Sequence, residues 1–208
     1  MLLQKMMKKS LLLLSILVSL GLHQAKAQGW KPLFNKKDFT GWHTIPGGKW
    51  EVVKGVLVGT SERSDPRHGL LVTDQSYKDF TVSVTYKAIR GNSGLYFRVE
   101  ETPDQLAGVR GFQAEIDPNK DAGGLYETQG RAWVIQPTPE QVKTWYKPNK
   151  WNKMTVEARG GNIIVKVNGK ETARLNNDTG RTEGKIALQL HGGHDMYVMF
   201  KEVKLKPL

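Results

Sequence analysis

The sequence contains no cysteine. Disulfide bonds, thiolate metal sites, a cysteine nucleophile and a lipid-modified cysteine are therefore excluded. The chain after residue 27 also lacks any apolar run of the ~20 residues that a membrane-spanning helix needs. We expect the chain after residue 27 to be soluble or surface-associated and to fold without disulfide formation.

The amino-terminal segment has the three parts of a secretory signal peptide. Three lysines in the first nine residues precede an apolar run over residues 11–20, and Ala25-Lys26-Ala27 forms a small-x-small cleavage site. We expect residues 1–27 to be removed and residues 28–208 to form one domain. We therefore expect export to the periplasm or to the extracellular side of a bacterial cell envelope.

Positive charge is moderate and dispersed. The formal net charge of +11 falls to +7 without the first 27 residues, which hold four lysines and no acidic residue. The remaining basic residues are scattered among acids, whereas nucleic-acid binders gather them on one face with interleaved aromatic rings. No nucleic-acid partner is expected.

Alternation of polar and apolar residues with a period of two dominates the mature chain, which predicts an almost entirely β protein. The clearest predicted strand covers residues 79–88. The other predicted strands cover residues 50–53, 56–59, 70–73, 95–100, 112–117, 153–159, 163–167, 185–191 and 197–205. Asn168-Gly169 and Gly160-Gly161 predict tight hairpin turns.

One short helix is predicted over residues 139–145. Thr138 caps it, Pro139 takes the first helical position and Gln141 completes a capping box. The helix lies in the longest segment of weak pattern, residues 118–150, which we expect to be a long loop of functional importance.

Three predicted strands carry unusual polar residues opposite their apolar face. The period of two assigns Leu95, Phe97, Val99, Phe112, Ala114, Ile116, Ile186, Leu188 and Leu190 to the core. The opposite face then carries Tyr96, Arg98, Gln113, Glu115, Asp117, Gln189 and His191. Amides, acids, an imidazole and a phenol suit ligands rich in hydroxyl groups, so we interpret this face as a carbohydrate-binding surface. The alternative is a polar network that only supports loops.

Acidic and histidine pairs on this face leave further alternatives open. Glu115 and Asp117 point the same way and could form an acid and base pair or a cation site. His191 and His194 flank two glycines and could ligate a metal, but no clear third ligand accompanies them. We expect neither a metal nor a cofactor.

Six short segments, in order, resemble the 3-keto-disaccharide hydrolase domain family of exported bacterial proteins. They are residues 33–42, 92–98, 111–117, 151–152, 167–169 and 188–192. The resemblance implies a concanavalin A-like jelly roll of two antiparallel sheets, with ligands on its concave face. It further implies activity on glycosides oxidised to a ketone at C3. Residues 200–203 depart from the family by lacking the Arg-Asn pair that is common near its end.

A C3 ketone acidifies the proton on C2, so a base could remove that proton and the C1 oxygen could then leave. His191 is the candidate base, Glu115 or Asp117 the candidate acid, and Arg98 and Gln113 could hold the ketone or hydroxyls. Further candidate sugar-binding residues are Tyr96, Gln189, Asn92, Trp133, Tyr126 and Trp145. The rival interpretation is a non-catalytic, lectin-like carbohydrate-binding domain, because one fold and one face can serve both functions.

Overall fold

The structure is a computed structural model that describes residues 29–208, so the predicted signal peptide lies outside the described residues. The described residues form fifteen strands and one short helix. The strands make two sheets, and every paired neighbour is antiparallel. The predicted all-β, two-sheet fold is confirmed. No helix within residues 29–208 has the length and apolar character needed to cross a membrane.

Eight strands form the sheet that we call the back sheet. Its strands are β1 (Lys31–Pro32), β3 (Lys49–Val53), β4 (Val56–Ser61), β6 (Phe80–Arg90), β11 (Asn152–Arg159), β12 (Asn162–Val167), β13 (Lys170–Leu175) and β15 (Met196–Pro207). Their order is β13-β12-β11-β6-β15-β4-β3, with β1 paired to β15.

Seven strands form the second sheet, which carries the candidate site and is called the cleft sheet. Its strands are β2 (Trp42–Ile45), β5 (Gly69–Tyr77), β7 (Ser93–Glu101), β8 (Val109–Ile116), β9 (Leu125–Thr128), β10 (Ala132–Ile135) and β14 (Gly184–Leu190). Their order is β10-β9-β8-β7-β14-β5-β2.

The core lies between the two sheets, where the apolar faces predicted by the period of two meet. Phe80 of the back sheet and Phe97 of the cleft sheet make an edge contact with ring centroids 6.5 Å apart. Phe97 in turn stacks on Phe112 at 5.5 Å. All three side chains are fully buried, and burial of each contributes roughly 2 kcal/mol.

The segment over residues 118–150 is more ordered than a long loop. It contains β9, β10 and the helix α1 (Pro139–Val142), which is shorter than the predicted helix. Both hydrogen bonds of the predicted capping box between Thr138 and Gln141 are present. The two strands were not predicted because their residues do not alternate between buried and exposed, and their pairing is irregular between Trp133 and Ile135.

The alternation predicted for residues 95–100 is wrong beyond Phe97. Arg98 has a φ of 53°, and the pairing of β7 with β8 shifts between Phe97 and Glu100. A β-bulge of this kind inserts one residue and reverses the faces of those that follow. Val99 therefore packs against Tyr96 and Val109 on the cleft face instead of entering the core.

Arg98 does not reach the binding face. Its side chain is only 1% exposed, and its guanidinium donates to the backbone oxygens of Arg181 at 3.0 Å and Lys78 at 3.3 Å. It also lies 3.8 Å from a carboxylate oxygen of Asp79. The residue thus ties the bulge to two neighbouring loops.

We expect Arg98→Met to lower the free energy of unfolding by about 3 kcal/mol, because two part-buried carbonyl oxygens lose a charged donor. Urea unfolding followed by tryptophan fluorescence measures this change. Arg110→Met is the matched control on β8, because Arg110 pairs with the exposed Glu100 and its removal should change stability very little. Equal effects of the two substitutions would contradict the structural role of Arg98.

Candidate functional site

A cleft of about 380 Å³ lies on the face of the cleft sheet that points away from the core. Its lining residues are His68, Asn92, Tyr96, Ala107, Gln113, Glu115, Tyr126, Thr128, Gln129, Trp133, Gln189 and His191. Eight of the eleven residues predicted from the sequence are among them. Strands β7, β8, β9, β10 and β14 supply most of the lining, and loops complete the rim.

Strand register explains why distant parts of the chain meet in this cleft. Tyr96 on β7 lies opposite Gln113 on β8, which lies opposite Tyr126 on β9, which lies opposite Trp133 on β10. Residues directly opposite one another in a sheet point to the same face. A single row across four strands therefore builds the floor and one wall.

The floor of the cleft is a chain of hydrogen bonds. Gln113 Nε2 donates to Glu115 Oε2 at 2.9 Å and to Gln189 Oε1 at 3.1 Å. Gln189 Nε2 donates to the hydroxyl of Tyr96 at 3.1 Å, and that hydroxyl lies 2.9 Å from Thr128 Oγ1. Both amide hydrogens of Gln113 are therefore engaged, while its carbonyl oxygen is available to a ligand.

Gly94 provides the space that this arrangement needs. It pairs with Glu115 across the two strands, and a β-carbon at Gly94 would lie only 2.5 Å from Gln113 Nε2. Any larger residue at this position would push Gln113 off its two acceptors.

Glu115 is held as a neutral acid. Burial is the largest cause that raises its pKa to about 8; the Asn92 amide opposes this shift, and the carboxylates of Asp117 and Asp121 contribute to it. Oε2 accepts the hydrogen bond from Gln113, whereas Oε1 is buried and has no hydrogen-bond partner within residues 29–208. The acidic hydrogen consequently belongs on Oε1.

His191 is held as a neutral base. Its Nδ1 lies 2.7 Å from the backbone oxygen of Gly192, which can only accept, so Nδ1 carries the hydrogen and Nε2 carries the lone pair. Burial lowers the pKa of His191; the Gly192 carbonyl opposes that shift and His194 adds to it. The ring therefore offers an unprotonated nitrogen at neutral pH.

Two aromatic residues form a wall of the cleft. Tyr126 and Trp133 are both half-buried and meet edge to face, with ring centroids 5.3 Å apart. Ring faces of this kind pack on the apolar C–H faces of sugars, and the phenol adds a hydrogen-bonding group.

Three of the predicted site residues lie outside the cleft lining. Arg98 is diverted by the bulge, as described above. Asp117 follows the end of β8 and accepts a hydrogen bond from the backbone N–H of Asn119 at 2.7 Å. Trp145 packs in the core, where its indole N–H donates to the backbone oxygen of Ala122 at 2.8 Å. The end of the helical segment folds inward, so this ring is not offered to a ligand.

Sequence reasoning missed four lining residues: His68, Ala107, Thr128 and Gln129. Thr128 belongs to the unpredicted β9, and the other three lie in loops. Gln129 fastens the loop that contains Ala107, because its Nε2 donates to Asp104 Oδ2 at 2.8 Å. His68 adjoins His191 because Gly69 pairs with Leu190 across β5 and β14.

The cleft lining holds no permanent positive charge. None of the described residues that line it is a lysine or an arginine. Across residues 29–208, no group of three or more histidine or acidic side chains is arranged so that it could hold a metal ion.

Solved structures with this fold include proteins that act on or bind carbohydrates. A protein from Parabacteroides distasonis, provisionally described as a glycosyl hydrolase, is 26% identical with a TM-score of 0.65, covering 90% of this chain and 97% of that one. A carbohydrate-binding module from Bacillus subtilis is 20% identical with a TM-score of 0.61, covering 80% of this chain and 95% of that one. A Bacillus subtilis protein of unknown function with a galectin-like fold is 15% identical with a TM-score of 0.63, covering 86% and 97%.

The fold and the site define a carbohydrate-related β-sandwich. The chain belongs to the family of 3-keto-alpha-glucoside-1,2-lyase-like domains, whose sequence model matches residues 29–206. The resemblance stated from the six short segments is thereby confirmed. No curated protein matches the chain significantly.

We expect Glu115→Gln to change how stability depends on pH. The raised pKa of Glu115 means that the folded state binds a proton between about pH 4.5 and pH 8 that the unfolded state releases. The native protein should therefore lose stability as pH rises through this range. The glutamine variant should lose less, by on the order of 3 kcal/mol between about pH 5 and about pH 9.

Urea unfolding at both pH values measures this difference. Glu157→Gln, on the outward side of β11, is the matched control and should leave the native pH dependence unchanged. Parallel stability curves for Glu115→Gln and the native protein would show that Glu115 is not held neutral.

Proposed function

We propose that this protein cleaves 3-keto-glycosides by removing the proton from C2 and eliminating the C1 oxygen, with His191 as base and Glu115 as acid. Membership of the 3-keto-alpha-glucoside-1,2-lyase-like family supports the choice of substrate. The predicted export of the chain would bring it to glycosides in the cell envelope.

One observation carries the proposal: a neutral carboxylic acid and a neutral imidazole line the same cleft. Burial raises the pKa of Glu115 and lowers the pKa of His191. Titratable groups whose environments shift their pKa values in opposite directions are typical of an acid and base pair in catalysis. Both are in the protonation state that the reaction needs before substrate arrives.

The first step is proton abstraction. His191 Nε2 takes the proton from C2, and the electron pair of that bond moves into a C2–C3 double bond while the C3 oxygen becomes an enolate. The ketone makes this step feasible, because an ordinary glycoside offers no such acidic C–H bond. A base of moderate strength is sufficient when it is neutral and close to the carbon.

The second step is elimination. The enolate pair returns to restore the C3 ketone and forms a C1–C2 double bond, and the C1–O bond to the aglycone breaks. Glu115 protonates the departing oxygen from Oε1. The products are an alcohol and an unsaturated 3-keto sugar, and later addition of water to the new double bond completes net hydrolysis.

The remaining cleft residues serve binding. We assign stacking on the sugar ring to Tyr126 and Trp133, whose rings form the wall. Gln113 offers its free carbonyl oxygen to sugar hydroxyls, and the buried Asn92 Oδ1, which has no partner among the described residues, offers another acceptor. Groups of this kind bind neutral hydroxyls without needing charge.

The direct test is to incubate the purified protein with a 3-keto-glucoside and with its unoxidised parent. We expect aglycone release from the ketone alone, measured by chromatography. His191→Ala and Glu115→Gln should each lower kcat by about 10²–10⁴-fold, as is usual for loss of a positioned base or acid. Activity should also fall above about pH 8, where Glu115 loses its proton.

Two results would overturn this proposal. If neither glycoside released its aglycone while calorimetry showed tight binding of an ordinary glycan, the protein would be a lectin-like binding domain. If both variants kept full turnover, the assigned roles of His191 and Glu115 would be wrong.

We further expect Trp133→Ala to raise the KM for the 3-keto-glucoside about tenfold, because one stacked ring contributes ~1 kcal/mol beyond its buried area. Its effect on kcat should be small, since the ring touches no reacting atom. Trp151→Ala is the matched control: this ring is 37% exposed and packs under Lys201 outside the cleft. An unchanged KM in Trp133→Ala would remove this residue from the binding site.

A further inference from the structure

His68 is a cleft residue that the mechanism above does not use. We propose that it is a further catalytic residue: its Nε2–H donates a hydrogen bond to the C3 oxygen of the substrate and stabilises the enolate formed there. This inference rests on the proposed function, because the hydrogen bond gains strength only when the C3 oxygen becomes negative.

The two backbone polar groups of Gly192 fix the tautomers of two imidazoles in opposite senses. The N–H of Gly192 donates to His68 Nδ1 at 2.8 Å, so the hydrogen of the neutral His68 ring lies on Nε2. The carbonyl of the same residue accepts from His191 Nδ1 at 2.7 Å, so the lone pair of His191 lies on Nε2. The cleft thereby receives one donor and one acceptor from adjacent rings, whose centroids are 4.3 Å apart.

The position of Gly192 is sterically fixed. A β-carbon on Gly192 would lie 2.1 Å from the backbone oxygen of Pro66, so the loop before β5 closes directly over the glycine. The backbone N–H of His68 also donates to the oxygen of Leu106 at 2.8 Å. Both imidazoles are therefore set in place before a ligand binds, as electrostatic stabilisation of a transition state requires.

The charge state of His68 suits this role. Burial is the largest cause that lowers its pKa to about 4; His191 and His194 contribute to this shift, and Asp104 opposes it. A proton taken up by the pair consequently resides on His191, and His68 stays neutral while the base works. Neutral imidazoles act in this way in known enzymes that remove a proton next to a carbonyl.

Other donors predicted to hold the ketone are not free to do so. Arg98 is buried at the bulge and donates to backbone oxygens. Gln113 gives both amide hydrogens to Glu115 and Gln189. His68 Nε2, in contrast, has no hydrogen-bond partner among residues 29–208 and its ring lines the cleft.

The pairing of the two rings also matches the substrate. The C2 proton and the C3 oxygen are carried by adjacent carbon atoms, so a base and a donor on adjacent rings can engage both at once. Proximity and orientation of this kind supply a large part of catalytic rate enhancement.

The test uses two substitutions at His68 that separate the hydrogen-bond acceptor at Nδ1 from the hydrogen-bond donor at Nε2. In His68→Asn, the side-chain oxygen can still accept from Gly192 N–H, but no donor reaches the position of Nε2. In His68→Gln, an amide N–H can reach that position. We expect kcat for the 3-keto-glucoside to fall about 10²–10³-fold in the asparagine variant, with KM changed little, and to recover at least tenfold in the glutamine variant.

A second measurement isolates enolate formation. A 3-keto sugar with hydrogen in place of the C1 substituent has no aglycone to lose, so exchange of its C2 proton in heavy water reports abstraction alone. His68→Asn should slow this exchange by the same factor as kcat, whereas Glu115→Gln should slow aglycone release but not exchange. His43→Asn, whose ring contacts Asp74 and Glu101 outside the cleft, is the matched control and should leave both rates unchanged.

The possible failures are distinguishable. If His68→Asn kept native kcat and exchange while His191→Ala lost both, this inference would be overturned and the proposed function would stand. If the unmodified protein showed neither aglycone release nor exchange, the proposed function would fail and this inference with it. Nitrogen NMR of the free protein gives a readout independent of activity: a His68 ring with its hydrogen on Nδ1 would also overturn the inference.

Discussion

The hydrogen bond from Gln113 to Glu115 is the interaction on which the chemistry of the cleft depends. Glu115 is 4% exposed, and burial of an ionised carboxylate so far from water is strongly unfavourable. The Gln113 amide donates a hydrogen bond to Oε2 of Glu115, so the proton of the carboxyl group lies on Oε1. Gln189, Tyr96 and Thr128 continue the chain, so the orientation of this acid is set by side chains on four strands. Partly buried polar networks of this kind are stable only when nearly every member has a partner.

A single physical cause, burial, accounts for the protonation states of Glu115, His68 and His191, the three cleft residues to which we assign catalytic roles. Burial disfavours charge of either sign, so it raises the pKa of Glu115 and lowers those of His68 and His191. The result is a site that is uncharged at neutral pH yet contains both a proton donor and a proton acceptor. Specific contacts with the backbone N–H and carbonyl of Gly192 then decide which nitrogen of each ring carries hydrogen.

The parts of this site that follow from local alternation could be predicted from the sequence. Tyr96, Gln113, Glu115 and Gln189 occupy polar positions on strands whose apolar residues enter the core, and His191 directly follows one of these strands. Alternation failed at Arg98, because nothing in its immediate sequence indicates a residue with positive φ inside a strand. It also failed for β9 and β10, whose residues do not alternate between buried and exposed positions.

Residues brought together by register lie beyond any local pattern. His68 reaches His191 only because Gly69 pairs with Leu190, and the pairing of β5 with β14 joins segments more than a hundred residues apart. Loop-borne residues such as Ala107 and Gln129 depend in the same way on contacts made after the sheets have formed. The sequence therefore predicts the strands of the site better than its rim.

The buried acid also bears on the choice between an enzyme and a binding domain. A site that only binds sugars gains nothing from a carboxyl group that must stay protonated, because a glutamine would offer the same donor and acceptor without the instability that Glu115 brings as pH rises. Retaining a titratable group at a buried position makes physical sense where its proton is transferred. The neighbouring imidazoles strengthen this reasoning, since their tautomers present a base and a donor side by side, an arrangement suited to a C–H bond next to a ketone. Under the proposed function, the same cleft with both groups replaced by amides would still bind a sugar but could not cleave it.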